Sequence, residues 1–341
     1  MAKLQLNQPG HLVKLPNKLL HYEPTHTSRY LILASLLSQL GTPKDLKILD
    51  VGGKKGLLRL FPGFSPTIID MEESDEPKFV QGNALDMPFK DEEFDFTVSC
   101  DVLEHIPQAD RKQFINEMLR VSRNGFILCA PFSSPSNVEL ESELNDYYHH
   151  LTNSQHRWLR EHIDNGLPSE KALEAHLKDL KIPYVKFRHF SPRNWRLIVQ
   201  NHLLDTAFGD NENLEESVNK LYEEYYTQMC PFDFAEDGYR TFYWASKTIK
   251  PEVVLPSNSA IINATERFHA DNTKNITTLL EAEMKSLRFA RQERDKIITE
   301  NVQLKAERDI LKEQLSKIKA NPVWKAYQLA RSVKNHSSKK S

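Results

Sequence analysis

The stretch that most constrains this chain is Lys47 to Gly56, Lys-Ile-Leu-Asp-Val-Gly-Gly-Lys-Lys-Gly, where a short apolar run stops in glycines and turns toward a helix. Ile48, Leu49 and Val51 suit a strand buried on both faces, and Gly52, Gly53 and Gly56 let the backbone turn tightly and approach a ligand. Leu57, Leu58, Leu60 and Phe61 then begin an apolar helix face. A strand, a glycine turn and a helix N-terminus make a nucleotide pocket, because unpaired amides and the helix dipole converge on whatever binds there. A dinucleotide site asks for Gly-x-Gly-x-x-Gly, but counting from Gly52 puts Lys54 where the second glycine belongs. A tight strand-to-helix turn with no ligand is the plainer reading of the same residues.

The following residues add to the pattern. Thr67-Ile-Ile-Asp70 reads as a second buried strand ending in a carboxylate, twenty residues after Asp50, about where the ribose-binding acid of a nucleotide fold falls. Phe79 to Phe89 supplies a third strand and a loop, and Phe94 to His105 a fourth strand ending Asp-Val-Leu-Glu-His. Taken in order, these four segments resemble the class I S-adenosylmethionine-dependent methyltransferases. Asp50, Gly52 and Gly56 fit that family's Asp/Glu-x-Gly-x-Gly-x-Gly motif, with Lys54 as the departure. The resemblance implies an α/β fold with a Rossmann-like seven-stranded sheet, helical insertions and an antiparallel last strand. It implies S-adenosylmethionine as cofactor, held by Asp50, Gly52, Gly53 and Gly56 at its amino-acid end and by Asp70 on the ribose. Asn83, Ala84, Leu85 and Asp86 would then lie near the adenine, Asp101 and Leu103 beside the methylthio group, and Met71 among the other cofactor contacts.

Composition narrows the setting. A hydrophobic fraction of 39% supports a core, and a net charge of −2 argues against a dedicated nucleic-acid binder, whose domain should be strongly basic. Three cysteines without a close pair imply no disulfide framework, which favours a reducing cytoplasm. No run of eighteen apolar residues suggests a membrane span.

The domain boundaries read as an N-terminal arm and helix over 1–45, a methyltransferase domain over 46–250, a linker over 251–275, a coiled coil over 276–320 and a basic aromatic tail over 321–341. Leu33, Leu36, Leu37 and Leu40 predict a helix from Ser28, capped by Thr27 or Ser28 and stopped by Gly41. Gln108 to Val121 and Lys171 to Leu180 also read as helices, and Tyr239 to Lys247 as the seventh strand. Leu280, Leu287, Arg294, Asn301, Arg308 and Leu315 fall seven apart, and Ala290, Ile297, Leu304, Leu311 and Ile318 form a second line offset by three. Those are the two core lines of a coiled coil, and Asn301 favours a parallel homodimer through 280–318. The alternative is one long helix folded back on the domain. Trp324 and Tyr327 among lysines suit peripheral contact with an anionic membrane, although a solvated tail explains them as well.

Methyl transfer from a sulfonium asks chiefly for alignment and exclusion of water, so catalytic residues are harder to read than cofactor contacts. A hydroxyl acceptor would need a base. His105, just past the fourth strand, and His149 and His156, in a segment that also carries Tyr147, Tyr148, His150, Trp158 and His162, are the candidates. The flanks of His149, His150 and His156 show no zinc-type spacing, and no metal is expected. A glycan or glycolipid acceptor fits the aromatic and polar rings, and a small lipid-like or quinone-like molecule is the alternative. A scaffold that kept the fold without turnover is the reading from another class.

Overall fold

A computed structural model of the chain describes residues 2–208, 212–271 and 273–320. The chain divides by compactness into Met1–Glu283 and Met284–Ser341. In order, the elements are β1 (Ala2–Gln5), α1 (Pro24–Leu40), β2 (Ile48–Val51), β3 (Thr67–Asp70), β4 (Phe79–Gln81), β5 (Phe96–Cys100), α2 (Arg111–Val121), β6 (Gly125–Pro131), α3 (Pro135–Thr152), α4 (Arg157–Asn165), α5 (Glu170–Asp179), β7 (Tyr184–His189), α6 (Pro192–Phe208), α7 (Glu212–Glu224), β8 (Arg240–Ser246), β9 (Pro251–Val254), α8 (Asn258–Asp271) and α9 (Thr273–Ala320).

The first unit is built on a seven-stranded sheet of order β4-β3-β2-β5-β6-β8-β7. Strands β2 to β6 pair in parallel, while β8 runs antiparallel between β6 and β7. This is the expected sheet, with its antiparallel last strand. Every residue of β2, β5, β6 and β8 is buried, as strands covered on both faces must be. One apolar layer packs α1 and α6 on the sheet through Ile32, Leu36, Trp195, Ile198 and Trp244. The other packs α2 and α5 through Phe114, Met118, Leu173 and Leu177. Strand order reverses between β2 and β5, so the crevice for a ligand opens beyond their carboxyl ends.

Four expectations need correction. Helix α1 starts at Pro24, not Ser28: Glu23 is its N-cap, its carboxylate accepting from the amides of Thr25 at 3.1 Å and His26 at 3.2 Å, and Thr27 and Ser28 are buried inside the helix. Gly41 does end it. The helix expected after Gly56 is only a 3-10 turn, Leu57–Leu60, because Pro62 and Gly63 follow at once. The arm before Pro24 begins as a strand, and the linker over 251–275 is structured. Strands β1 and β9 pair in parallel from Ala2–Pro251 to Gln5–Val254, Leu4 and Leu6 are buried, and α8 buries Ala264 and Phe268 in the core. Neither segment showed a period in sequence, because their strands are short and pair across almost the whole first unit.

In the second unit the described part of α9 has no regular burial. Ile297, Leu304 and Leu311, on one predicted seam, are more than half exposed, and Arg294 and Arg308 pair with their neighbours Asp295 and Asp309. The basic tail over 321–341 lies outside the described residues. Among those residues no helix is long and apolar enough to cross a membrane.

Candidate active site

The carboxyl ends of β2, β3 and β5 meet at the glycine turn. Gly52 leaves β2 at φ 80° and donates its amide to the Ile69 carbonyl at 2.8 Å, tying the turn to β3. Any side chain there would strike Val102, whose Cγ2 lies 2.2 Å from a built Cβ. A Cβ at Gly53 would fall 2.3 Å from the Asp50 carboxyl carbon, so the missing side chain keeps a cradle open above that acid. Gly56 closes the turn, its amide donating to the Gly53 carbonyl at 2.7 Å. Lys54 forms an ion pair with Glu72, tied across to the loop after β3 and half exposed rather than buried in the turn.

Asp50 is wholly buried. Tyr30 donates to its Oδ1 at 3.3 Å, and Oδ2 has no partner among the described residues. Burial pushes the Asp50 carboxyl up to about 7, since the charged form has lost its water and gained little in return. Asp70, half-buried at the end of β3, accepts the Glu72 amide on Oδ1 at 3.0 Å. Met71 beside it is 70% exposed, an open apolar shelf next to the carboxylate. In the following loop Asn83 accepts the Leu85 amide on its side chain at 2.9 Å, Asp86 is exposed, and Ala84 and Leu85 pack on the core's edge.

The end of β5 differs from expectation. Asp101 sits at φ 53°, left-handed, and its carboxylate is clamped by two guanidinium groups. Arg240 Nε donates at 2.9 and 3.0 Å, its Nη2 at 2.5 Å, and Arg29 closes from α1. Burial alone would raise this acid, but Arg240 and Arg29 hold it well below the usual carboxylate range. Asp101 is thus committed to joining α1, β5 and β8. Leu103 is buried in the layer with Val51, Ile69 and Met87, so it supports the site from beneath.

The histidine candidates separate. His149 is exposed near the end of α3, next to His150. His156 precedes α4, donates its amide to the Asn145 side chain at 2.9 Å and packs edge-on against Tyr148. Burial first, then His202 and His162, lower its proton affinity. Neither joins the group around His105. That group contains His162 instead, with Nε2 atoms 3.4 Å apart, and Glu104, whose two buried oxygens have no partner among the described residues. Burial, then the nearby Asp101 charge, push Glu104 up to about 8. Arg29, Tyr30, Glu104, His162 and Arg240 were not assigned roles from sequence. Only Glu104 carried a local signal, in Asp-Val-Leu-Glu-His; the others reach the site from elements 20 to 139 residues distant.

Residues 64–130 match the family model described as Methyltransferase domain. That span runs from before β3 almost to the end of β6 and so covers the second to fifth strands of the sheet. Solved structures similar to this chain include a SAM dependent methyltransferase from Archaeoglobus fulgidus, 13% identical, with 68% of this chain and 100% of that one covered and a TM-score of 0.38. Magnesium protoporphyrin IX methyltransferase from Synechocystis with bound SAH is 15% identical over 52% of this chain and 83% of that one, with a TM-score of 0.39. The YcgJ protein from Bacillus subtilis is 15% identical over 65% and 98%, with a TM-score of 0.38.

Proposed function

We propose that the chain is an S-adenosylmethionine-dependent methyltransferase, its cofactor over the glycine turn after β2 and its acceptor on the α3–α4 side of the same sheet edge. The observation that carries this reading is the methyltransferase-domain match over 64–130, which includes β3 and β5 on either side of β2, though not β2 and its glycine turn. The residues present fit the cofactor. The unpaired, buried Asp50 oxygen suits an ammonium donor, and the Gly53 cradle admits a close approach. The half-buried Asp70 suits vicinal hydroxyls, and the open Met71 with Ala84 and Leu85 suits a flat ring. The cofactor would supply an activated methyl group on a good leaving group. The protein's part is then alignment and exclusion of water.

Calorimetry with S-adenosylmethionine tests this. Binding should be measurable below millimolar cofactor, and Asp70→Ala should weaken it about 10- to 100-fold, the worth of a charged hydrogen-bond pair. Affinity should rise with pH through about 7, as Asp50 gains the charge that meets an ammonium, and Asp50→Asn should flatten that rise. A cofactor that fails to bind would leave the fold without the activity.

One observation favours a second reading, a non-catalytic scaffold: the glycine turn leads into a 3-10 turn of four residues, not a helix whose dipole could support a ligand. Cofactor binding decides between the two. For the acceptor we favour a glycan or glycolipid over a lipid-like or quinone-like molecule. Trp158 is 47% exposed at the start of α4 with the Arg157 guanidinium over its ring, a platform of the kind sugars stack on. His105 lies beside it, its ring centroid 5.4 Å from that of Trp158, which supports a role for it near the acceptor. The heptad lines of α9 support a parallel homodimer through 280–318.

A further inference from the structure

Three side chains with metal-ligating atoms, Glu104, His105 and His162, converge beyond β5. His162 Nδ1 donates to Glu141 Oε1 at 3.1 Å, and His105 Nδ1 faces Glu161 Oε2 at 3.3 Å. Glu141 thereby orients the His162 ring with a proton on Nδ1, which leaves a lone pair on Nε2 of the neutral imidazole, whereas Glu161 approaches His105 Nδ1 without hydrogen-bond geometry. The two Nε2 atoms lie 3.4 Å apart, and the fully buried Glu104 carboxyl, without a partner among the described residues, completes a group whose ligand atoms lie within 4.8 Å of one another. With both Nε2 atoms and the carboxyl deprotonated, a cation is what holds such a group together.

We propose that Glu104, His105 and His162 form a site for a divalent first-row transition-metal ion. Two imidazole nitrogens bound at about 2.05 Å to a tetrahedral ion lie about 3.4 Å apart, the separation found here. The outer partner of His162 has the form that metal-ligating histidines use, a carboxylate hydrogen-bonded to the far ring nitrogen, and the Glu161 carboxylate lies 3.3 Å from the far nitrogen of His105. Glu141 is itself held, since the Tyr239 hydroxyl donates to its Oε1 at 2.6 Å. Two nitrogens and one carboxylate favour zinc, cobalt or manganese over magnesium or calcium, which prefer all-oxygen sets. Three protein ligands leave a position open, and the His105 side chain, 24% exposed beside Trp158, gives that position a way to solvent. An acceptor hydroxyl bound there would lose its proton more readily, with His105 Nε2 committed to the metal instead of acting as a base. This last role rests on the methyltransferase reading; metal binding itself does not.

The test uses the full chain, stripped with chelator and titrated with Co²⁺ by absorption spectroscopy and with Zn²⁺ by calorimetry. One Co²⁺ per chain should bind with visible d–d bands, Zn²⁺ should displace it, and Mg²⁺ should not. His162→Gln and Glu104→Gln should each weaken binding more than about tenfold, and Glu141→Gln by about 10- to 100-fold through misorientation of His162. His149→Gln, on exposed α3 surface, should change nothing. Circular dichroism monitors folding of each variant, and the wild-type titration stands whether or not the variants fold. The proposal is overturned if the wild type binds no stoichiometric Co²⁺, as when a shared proton holds the cluster, or if binding survives the paired substitution of His105 and His162 by Gln. Cofactor calorimetry on stripped protein separates the two readings: a lost metal site with retained cofactor binding sinks only this one.

Discussion

At the scale of single residues, Asp50 carries an unusual electrostatic load. An exposed aspartate in the unfolded chain ionises near pH 4, whereas burial holds this one neutral up to about 7. The folded state therefore binds a proton that the unfolded state has released, and Asp50 destabilises the fold progressively as pH rises from about 4 to about 7. Asp50→Asn should gain on the wild type by an amount on the order of 3 kcal/mol between pH 4 and pH 8, read by urea denaturation at both ends. Equal stability changes at the two pH values would show that the carboxyl finds water or a cation in solution. Asp50 was legible from the strand-glycine pattern, but its protonation was not. That follows from Tyr30 and the α1 helix closing over it, which no local spacing encodes.

Elements meet at Asp101. Helix α1 brings Arg29, β8 brings Arg240, and the left-handed turn after β5 aims the carboxylate between them. Replacing Asp101 by Asn would leave two buried guanidinium groups facing each other without a counter-charge, and breaking such a pair typically costs about 3–5 kcal/mol. Thermal and chemical denaturation should both report that loss, and Asp101→Asn should loosen α1 first, seen as faster amide exchange in residues 24–40. An unaltered midpoint would mean the triad is worth no more than a surface pair. Sequence reading placed Asp101 on the cofactor because the motif ends there. It could not see the two arginines, which come from positions 72 residues before and 139 after. Helix α1 was predicted four residues short for a related reason: Thr27 and Ser28 look like caps, but packing buries them and Glu23 takes that role.

For the whole molecule the open question is what covers the apolar line of α9. Ile297, Leu304 and Leu311 lie seven apart, and each is more than half exposed in the single chain. Lone helices carrying such a line gain most from a second copy, where Asn301 can pair with its equivalent across the axis. Light scattering at high micromolar concentration should give a dimer mass, and Ile297→Glu together with Leu304→Glu should halve it while leaving the first unit folded. A wild-type monomer would return α9 to the alternative of one long helix folded back on the domain.

The sequence by itself determined the parts whose physics is local. A strand buried on both faces is mostly apolar, a tight turn over a ligand favours glycine, and a heptad line is written every seven residues; so the buried strands, the Lys47–Gly56 turn and the long helix could be read from residue order, while the seven-stranded sheet followed from the family resemblance. The tertiary structure decided what depends on distant residues arriving together. It paired β1 with β9, buried α8 where a linker was expected, locked Asp101 between two arginines and set His162, not His149 or His156, against His105. The reason is physical: burial and charge pairing act through space, and chain spacing records them only where the partners are neighbours in sequence.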